Sequence, residues 1–268
     1  MNRKIAFIGV GNMASAIING ITREGYIPYT DLVLYDVFAD KCCAYTEKGA
    51  VLAQSEAHAA TLADCIVLAV KPQTFPELLP RLALVEGIQN KLIVTIAAGI
   101  TVETVSTALH GAPVVRVLPN TPMLIGMGVS VICRSEVVSP EDFAFVASLF
   151  EASGRVVYID ESEMNRMISV TSSSPAYVFG FIKAICDGAT AQGLEGDDIL
   201  PAVCDMVIGA ATLLKQGGLT PDEQISMVTS KGGTTERAMA ELSASDMYGM
   251  IERAMKACTN RANELSGQ

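Results

Sequence analysis

The sequence predicts an α/β domain over residues 1–160 followed by an all-α domain over 161–268, on three observations. Short apolar, β-branched runs recur through the first half with helix-periodic stretches between them, the pattern of a parallel sheet covered on both faces. After Asp160 no such run returns and helical periodicity takes over. Gly9 and Gly11 sit where the first apolar run gives way to the first helical one. With 268 residues, half of them hydrophobic, the chain can bury a large core and exceeds one typical domain.

The first strand covers residues 4–8 and runs directly into Gly9-Val10-Gly11-Asn12-Met13-Ala14, followed by a helix through Ile17, Ile18 and Ile21. This is G-x-G-x-x-A between a strand and a helix, the fingerprint of a Rossmann dinucleotide-binding domain. Gly9 permits the tight turn and Gly11 lets the backbone approach a pyrophosphate. Ala14 keeps helix and strand close, and the helix N-terminus at Asn12 and Met13 faces the phosphates. A glycine turn in an unliganded α/β domain is the plainer alternative. The second strand, 32–35, ends in Asp36, where a carboxylate accepts the ribose hydroxyls and repels a 2′-phosphate. That favours NADH over NADPH. The other reading of Asp36 is a turn residue before a helix starting near Ala39, with Lys41 able to tolerate a phosphate.

Further strands are expected over 65–70, 92–96 and 114–118, each ending in a polar or small-residue loop, and in open α/β sheets ligands gather at these ends. Ala69, Val70, Lys71 and Pro72 would lie beside the cofactor, with Lys71 in reach of ribose or phosphate. Ala97 and Ala98, before Gly99, would give it backbone room, and Asn120 in Pro119-Asn120-Thr121-Pro122 would hydrogen-bond near the nicotinamide. Each is equally readable as an ordinary loop residue. Strands over 126–133 and 155–159 around a helix over 140–150 complete the first domain.

Helices are expected over 161–170, 175–192, 197–216, 221–229, 234–242 and 245–265. The stretch from Ala202 to Ala211 is apolar on more than one face, which fits either a subunit interface or a helix central to one subunit. Thr171-Ser172-Ser173-Ser174-Pro175-Ala176-Tyr177 opens a long helix, as an N-cap or as a polar ledge near the cofactor. In Ser230-Lys231-Gly232-Gly233-Thr234-Thr235-Glu236, the glycines admit a ligand close to the backbone. The hydroxyls of Thr234 and Thr235 either cap the following helix or bind a substrate.

Acidic residues outnumber basic ones 29 to 19, giving a net charge of −10, which argues against nucleic acid and anionic membranes as partners. The start at residues 1–4 leads straight into a strand, and the apolar runs fall short of the roughly 20 residues of a membrane span, so a cytoplasmic protein is expected. Seven cysteines, odd in number and without C-x-x-C spacing, indicate neither a metal site nor a disulfide framework and read as small core residues.

Taken in order, Gly9-x-Gly11-x-x-Ala14, Ala69-Val70-Lys71-Pro72, Ala97-Ala98-Gly99, Pro119-Asn120-Thr121-Pro122, Ser173-Ser174-Pro175-Ala176-Tyr177 and Ser230-Lys231-Gly232-Gly233-Thr234-Thr235 resemble the pyrroline-5-carboxylate reductase family over nearly the whole chain. The resemblance implies a Rossmann domain and a helical dimerisation domain, a homodimer or larger ring, an active site between the domains, and NAD(P)H-dependent reduction of 1-pyrroline-5-carboxylate to L-proline, the last step of proline synthesis. Its substrate site would comprise Ser174, Gly232, Gly233, Thr234 and Thr235. The carboxylate would sit on the N–H groups around Gly233 and Thr234, and Thr235 would hydrogen-bond the ring nitrogen. His58 and His110 lie away from these motifs, so no histidine acid is expected; a protonated imine brings its own proton. This chain departs from many members at Lys231, at Ser172, at Gly218-Leu219-Thr220, where a glutamate is common, and at Asp36, where serine, threonine or asparagine often accompanies NADPH. An imine reductase acting on another ring would keep every motif, and a non-enzymatic dinucleotide sensor would share the fold.

Overall fold

In a computed structural model, which describes residues 3–267 apart from 24 and 26, the chain divides into two compact units, Met1–Ser173 with Cys258–Gln268, and Ser174–Ala257. Of the expected N-terminal lead into the first strand, Met1 and Asn2 lie outside the described residues.

The first unit alternates as its sequence requires. β1 (Ile5–Ile8), α1 (Asn12–Arg23) and β2 (Leu32–Tyr35) come first, then a 3-10 turn over Ala39–Cys42 that passes into α2 (Cys43–Thr46). β3 (Val51–Leu52), α3 (Glu56–Leu62), β4 (Cys65–Leu68), α4 (Phe75–Ala83), β5 (Leu92–Thr95), α5 (Val102–Ala108) and β6 (Val114–Leu118) follow. The alternation ends with β7 (Gly128–Arg134), α6 (Pro140–Glu151) and β8 (Gly154–Tyr158). Among the described residues the strands form one sheet of eight in the order β3-β2-β1-β4-β5-β6-β7-β8. Neighbours are parallel except β6 and β7, paired antiparallel with Leu118 opposite Val131. The link over 119–127 explains the exception, being shorter than the dozen or so residues a parallel crossover needs.

The central strands are apolar on both sides because both sides are covered. Ile5 and Phe7 pack with Ile17, Ile18 and Ile21 of α1 and Phe150 of α6, while Ala6 and Ile8 share the other face with Leu78 and Leu82 of α4 and Leu109. Each such buried isoleucine or leucine contributes about 1.5–3 kcal/mol. The covering helices start where side chains satisfy their first amides. Ser55, Thr101 and Ser139 accept from the N–H groups of His58, Thr104 and Asp142 at 3.1, 3.1 and 3.0 Å.

α7 (Glu161–Met167) continues as a π-helical turn over Ile168–Ser172. Met164 and Ile168 join the sheet's core, as does Ala262, so the first unit extends past residue 160 and takes back the end of the chain. The second unit holds α8 (Ser174–Ala191), α9 (Ile199–Gly217), α10 (Pro221–Val228), α11 (Thr234–Ala244) and the beginning of α12 (Met247–Ser266). Gly218, at φ 69°, ends α9, and Thr220 with Glu223 forms a capping box that opens α10. These residues, Gly218-Leu219-Thr220, therefore serve a helix boundary. α9 has a mean hydropathy of 1.4 and is long and apolar enough to cross a membrane, against the expectation that no stretch reaches that length.

Candidate active site

The strand order reverses between β1 and β4, where open α/β sheets bind their ligands. Gly9 sits there at φ +93° with its N–H on Tyr35 O at 2.8 Å, and a Cβ on it would lie 2.8 Å from Ala69 O. Only glycine fits. A Cβ on Gly11 would meet nothing within 4 Å, so the loop is open on the side a pyrophosphate would approach, while buried Ala14 lets α1 lie close to the sheet. Asn12 begins α1 and Met13 packs onto the core beneath it. Ala69 donates its N–H to Ile8 O at 2.9 Å, which sets the next loop beside the glycines. In that loop Val70 is half-buried, Lys71 is exposed, and Pro72 starts the turn into α4. Ala97 is buried and Ala98 half-buried before Gly99, at φ +77°, whose Cβ would lie 2.7 Å from that of Leu265. Gly9, Asp36 and Val70 share a cleft of 240 Å³ with Thr74, Glu77 and Arg81. It adjoins a 590 Å³ hollow lined by Tyr35, Asp36, Val37, Ala39, Leu52 and Gln54. These residues fit a dinucleotide.

Asp36 is more tightly held than a free ribose acceptor. Its side chain is 7% exposed, with Oδ2 accepting from Val10 N–H at 2.8 Å, Oδ1 from Phe38 N–H at 2.9 Å, and Lys41 Nζ 3.2 Å from Oδ1. Burial alone would raise the carboxyl's pKa, but the Phe38 and Val10 amides and Lys41 outweigh it and hold it below the ordinary value. The carboxylate ties β2 to the glycine loop, and its charge is matched by a lysine.

Asn120 is tied down as well. Its Nδ2 donates to Thr171 O at 3.0 Å and its Oδ1 accepts from Val129 N–H at 2.8 Å, in a side chain that is almost wholly buried. These internal bonds fix Asn120 within the Pro119–Pro122 loop. Beyond Thr171, Ser172 Oγ is buried without a partner and Ser173 Oγ accepts from the Cys258 thiol at 3.3 Å.

In the helical unit the Ser230–Glu236 loop departs from the expected cradle in a specific way. Gly232, at φ +72°, gives its N–H to Glu236 Oε2 at 2.8 Å, and Gly233 gives its N–H to Ser230 O at 2.9 Å. Both glycine amides are therefore occupied. Gly233 is the N-cap of α11 with no side-chain capping bond, so neither threonine hydroxyl caps the helix. The groups left for an anion are the first-turn amides of Thr234 and Thr235, with the half-buried Thr235 hydroxyl beside them. Ser174 opens α8 in this same unit.

Two family models match the chain. Residues 4–99 match the family described as NADP oxidoreductase coenzyme F420-dependent, and residues 161–265 match the one described as pyrroline-5-carboxylate reductase dimerisation. Pyrroline-5-carboxylate reductase of Escherichia coli (strain K12) is 33% identical over 268 residues, covering 99% of each chain. The reductase of Vibrio alginolyticus is 34% identical over 273 residues, covering 98% of each. The chain belongs to the pyrroline-5-carboxylate reductase family. A solved pyrroline-5-carboxylate reductase from Coxiella burnetii superposes with a TM-score of 0.89 at 29% identity, covering 99% of each chain. The Plasmodium falciparum pyrroline carboxylate reductase, solved with NADP bound, shares the fold with a TM-score of 0.91 at 24% identity, covering 99% of this chain and 98% of that one.

Within the reductase fold, the fingerprint, Asp36 and the Ala69–Pro72 loop come together in the first unit, and Ser174 with the Gly232–Thr235 loop belongs to the second. A cavity of 740 Å³ lies elsewhere. Arg134, Glu136, Phe143, Tyr158, Asp160 and Glu163 help to line it at the ends of β7 and β8. Because β7 runs against β6, those ends are opposite the cofactor end of the sheet. Sequence reasoning missed Arg116, 1% exposed on β6, where burial pulls its guanidinium pKa down and Glu161 opposes that pull. Its Nη1 lies 3.4 Å from Glu161 Oε1 and its Nη2 2.8 Å from Asn165 Oδ1. Asn165 Nδ2 reaches Asn263 and Ser266 of α12 at 3.0 and 2.9 Å. The available signal was a charge in the middle of an otherwise apolar strand.

Proposed function

We propose that this protein is an oxidoreductase acting on CH–NH groups that reduces 1-pyrroline-5-carboxylate to L-proline with NAD(P)H, the last step of proline biosynthesis. The observation that carries the reading is the start of α11, where the amides of Thr234 and Thr235 and an uncommitted Thr235 hydroxyl follow Gly232, held at positive φ, and Gly233, where a Cβ would lie 2.9 Å from Ser230 O. The substrate carboxylate sits on those two amides, favoured by the helix dipole. Thr235 Oγ1 hydrogen-bonds the ring nitrogen and orients the C=N bond. A nicotinamide bound there would supply the hydride for the imine carbon, and the imine nitrogen, already carrying its proton, would take up the electron pair of the C=N bond. No residue acid is needed, and positioning supplies most of the acceleration.

Family membership, the fingerprint in the β1–β4 crevice and the fitted loops support a nicotinamide cofactor on Gly9, Gly11, Asn12, Met13, Ala14, Asp36, Ala69, Val70, Lys71, Pro72, Ala97 and Ala98. Asp36 favours NADH, to a degree limited by its pairing with Lys41. The protein works as a homodimer or larger homo-oligomer in the cytoplasm. Phe179, Ile208, Leu213 and Met227 stand largely exposed on the helical unit, and its dimerisation-family match names the kind of contact that covers such surface.

The deciding assay follows oxidation of NADH and of NADPH with 1-pyrroline-5-carboxylate and with its six-membered ring homologue. Turnover of the five-membered ring with the larger kcat/KM is expected. A larger kcat/KM on the six-membered ring assigns a different imine, and no oxidation with either leaves a dinucleotide-binding protein without this activity.

A further inference from the structure

The corner at the end of β2 holds a cation that the family motifs do not include. Lys41 Nζ lies 3.2 and 3.3 Å from the two oxygens of Asp36 and 5.0 Å from the centre of the Phe38 ring, and its side chain is 45% exposed where that of Asp36 is 7% exposed. Asp36 already accepts from Val10 and Phe38, so the carboxylate faces inward and the ammonium outward. Val37 stands exposed at the 590 Å³ hollow and Phe38, next in the chain, is exposed as well, apolar surfaces suited to a purine. A ribose held by Asp36 carries its 2′ oxygen within reach of the ammonium bonded to the same carboxylate. Arg81, the other cation near this corner, is bonded to Glu56 at 2.8 Å, so its charge is already paired there.

We propose that Lys41, braced by Asp36 and lying over Phe38, is the specificity-determining residue that receives the 2′-phosphate, so that the pair accepts both dinucleotides where a bare aspartate would reject the phosphorylated one. A lysine serves here as a point charge that can leave one oxygen anion for another without rebuilding the loop. Asp36 remains anchored by two amides when the lysine turns. The carboxylate thus keeps the glycine loop and the ribose, and the lysine alone answers the phosphate.

This inference rests on the cofactor reading above, and two fragments differing only in the 2′-phosphate test it without turnover. Affinities of 5′-AMP and adenosine 2′,5′-bisphosphate are measured by calorimetry at fixed ionic strength for the unaltered protein and for Lys41→Ala, Lys41→Arg and Arg81→Ala, with thermal unfolding of each to establish folding. Lys41→Ala is expected to weaken the bisphosphate about tenfold and leave 5′-AMP within about twofold, and Lys41→Arg to restore most of the loss. Equal effects on both fragments, no effect on either, or a selective loss in Arg81→Ala alone overturns the assignment while leaving dinucleotide binding intact. If neither fragment binds the unaltered protein at millimolar concentration, the cofactor reading falls and takes the assignment with it.

Discussion

The first unit covers both faces of its sheet with its own helices, whereas in the helical unit Val203 is the single buried hydrophobic side chain among the described residues. Both halves have apolar sequences, so the difference lies in arrangement. A sheet offers two broad faces that intervening helices can close within one chain. Helices that are apolar on several faces cannot all turn inward in a small bundle, and the homo-oligomer proposed above would cover the remainder.

The sharpest way to break this comparison places one charge in each unit. Ile66→Asp, at the centre of β4, is expected to destabilise the fold by more than about 4 kcal/mol, because a carboxylate is buried without a partner. Ile208→Asp on α9 should leave the melting temperature nearly unchanged and weaken self-association by at least about 30-fold, or about 2 kcal/mol. Sedimentation and thermal scans measure both. A stable, fully associated Ile208→Asp protein removes α9 from the interface.

Polar contacts carry the same contrast at smaller scale. Asn165→Ala takes one acceptor from the buried Arg116 guanidinium and should destabilise by about 2–3 kcal/mol in denaturant unfolding. Arg116→Met, which removes the charge and keeps much of the volume, should cost less. Lys183→Met, breaking an exposed ion pair with Asp187 in the helical unit, should change stability by under about 0.5 kcal/mol. If Asn165→Ala is equally silent, the arginine network is held by Glu161 alone.

The smallest effect is read in kinetics. Thr235→Ala should lower kcat/KM for the imine about tenfold, or about 1.4 kcal/mol, with dinucleotide affinity unchanged, and Thr235→Ser should retain most activity. A loss of melting temperature in step with activity would assign Thr235 to the fold instead.

Much of this was legible in the sequence because local patterns and tertiary environment agree. Ile5–Ile8 and Cys65–Leu68 are unbroken apolar runs and Leu92–Thr95 is apolar up to its threonine, and each is a fully buried strand. β3 was not legible, since two exposed residues carry no period and exist as a strand only by pairing with Val33 and Leu34. The reversal of β7 follows from loop length, and the π turn at Ile168–Ser172, which carries Ile168 into the sheet's core, has no local sequence signal. At the candidate site, residue types were readable and their commitments were not. Nothing local in Asn120, Gly232 or Gly233 announces that Thr171, Glu236 and Ser230 occupy their polar groups, because those bonds depend on how the chain returns.

Asn120 has a consequence in time as well as in space. Its amide joins Val129, nine residues ahead, to Thr171, 51 residues ahead. Closing the longer of those loops is the slow kind of step, since chain entropy is lost before any contact repays it. The Pro119–Pro122 loop therefore gains its first tie locally, through Val129, and its second only when the π turn has docked, so protection of Val129 N–H against hydrogen exchange during refolding marks the early, local step.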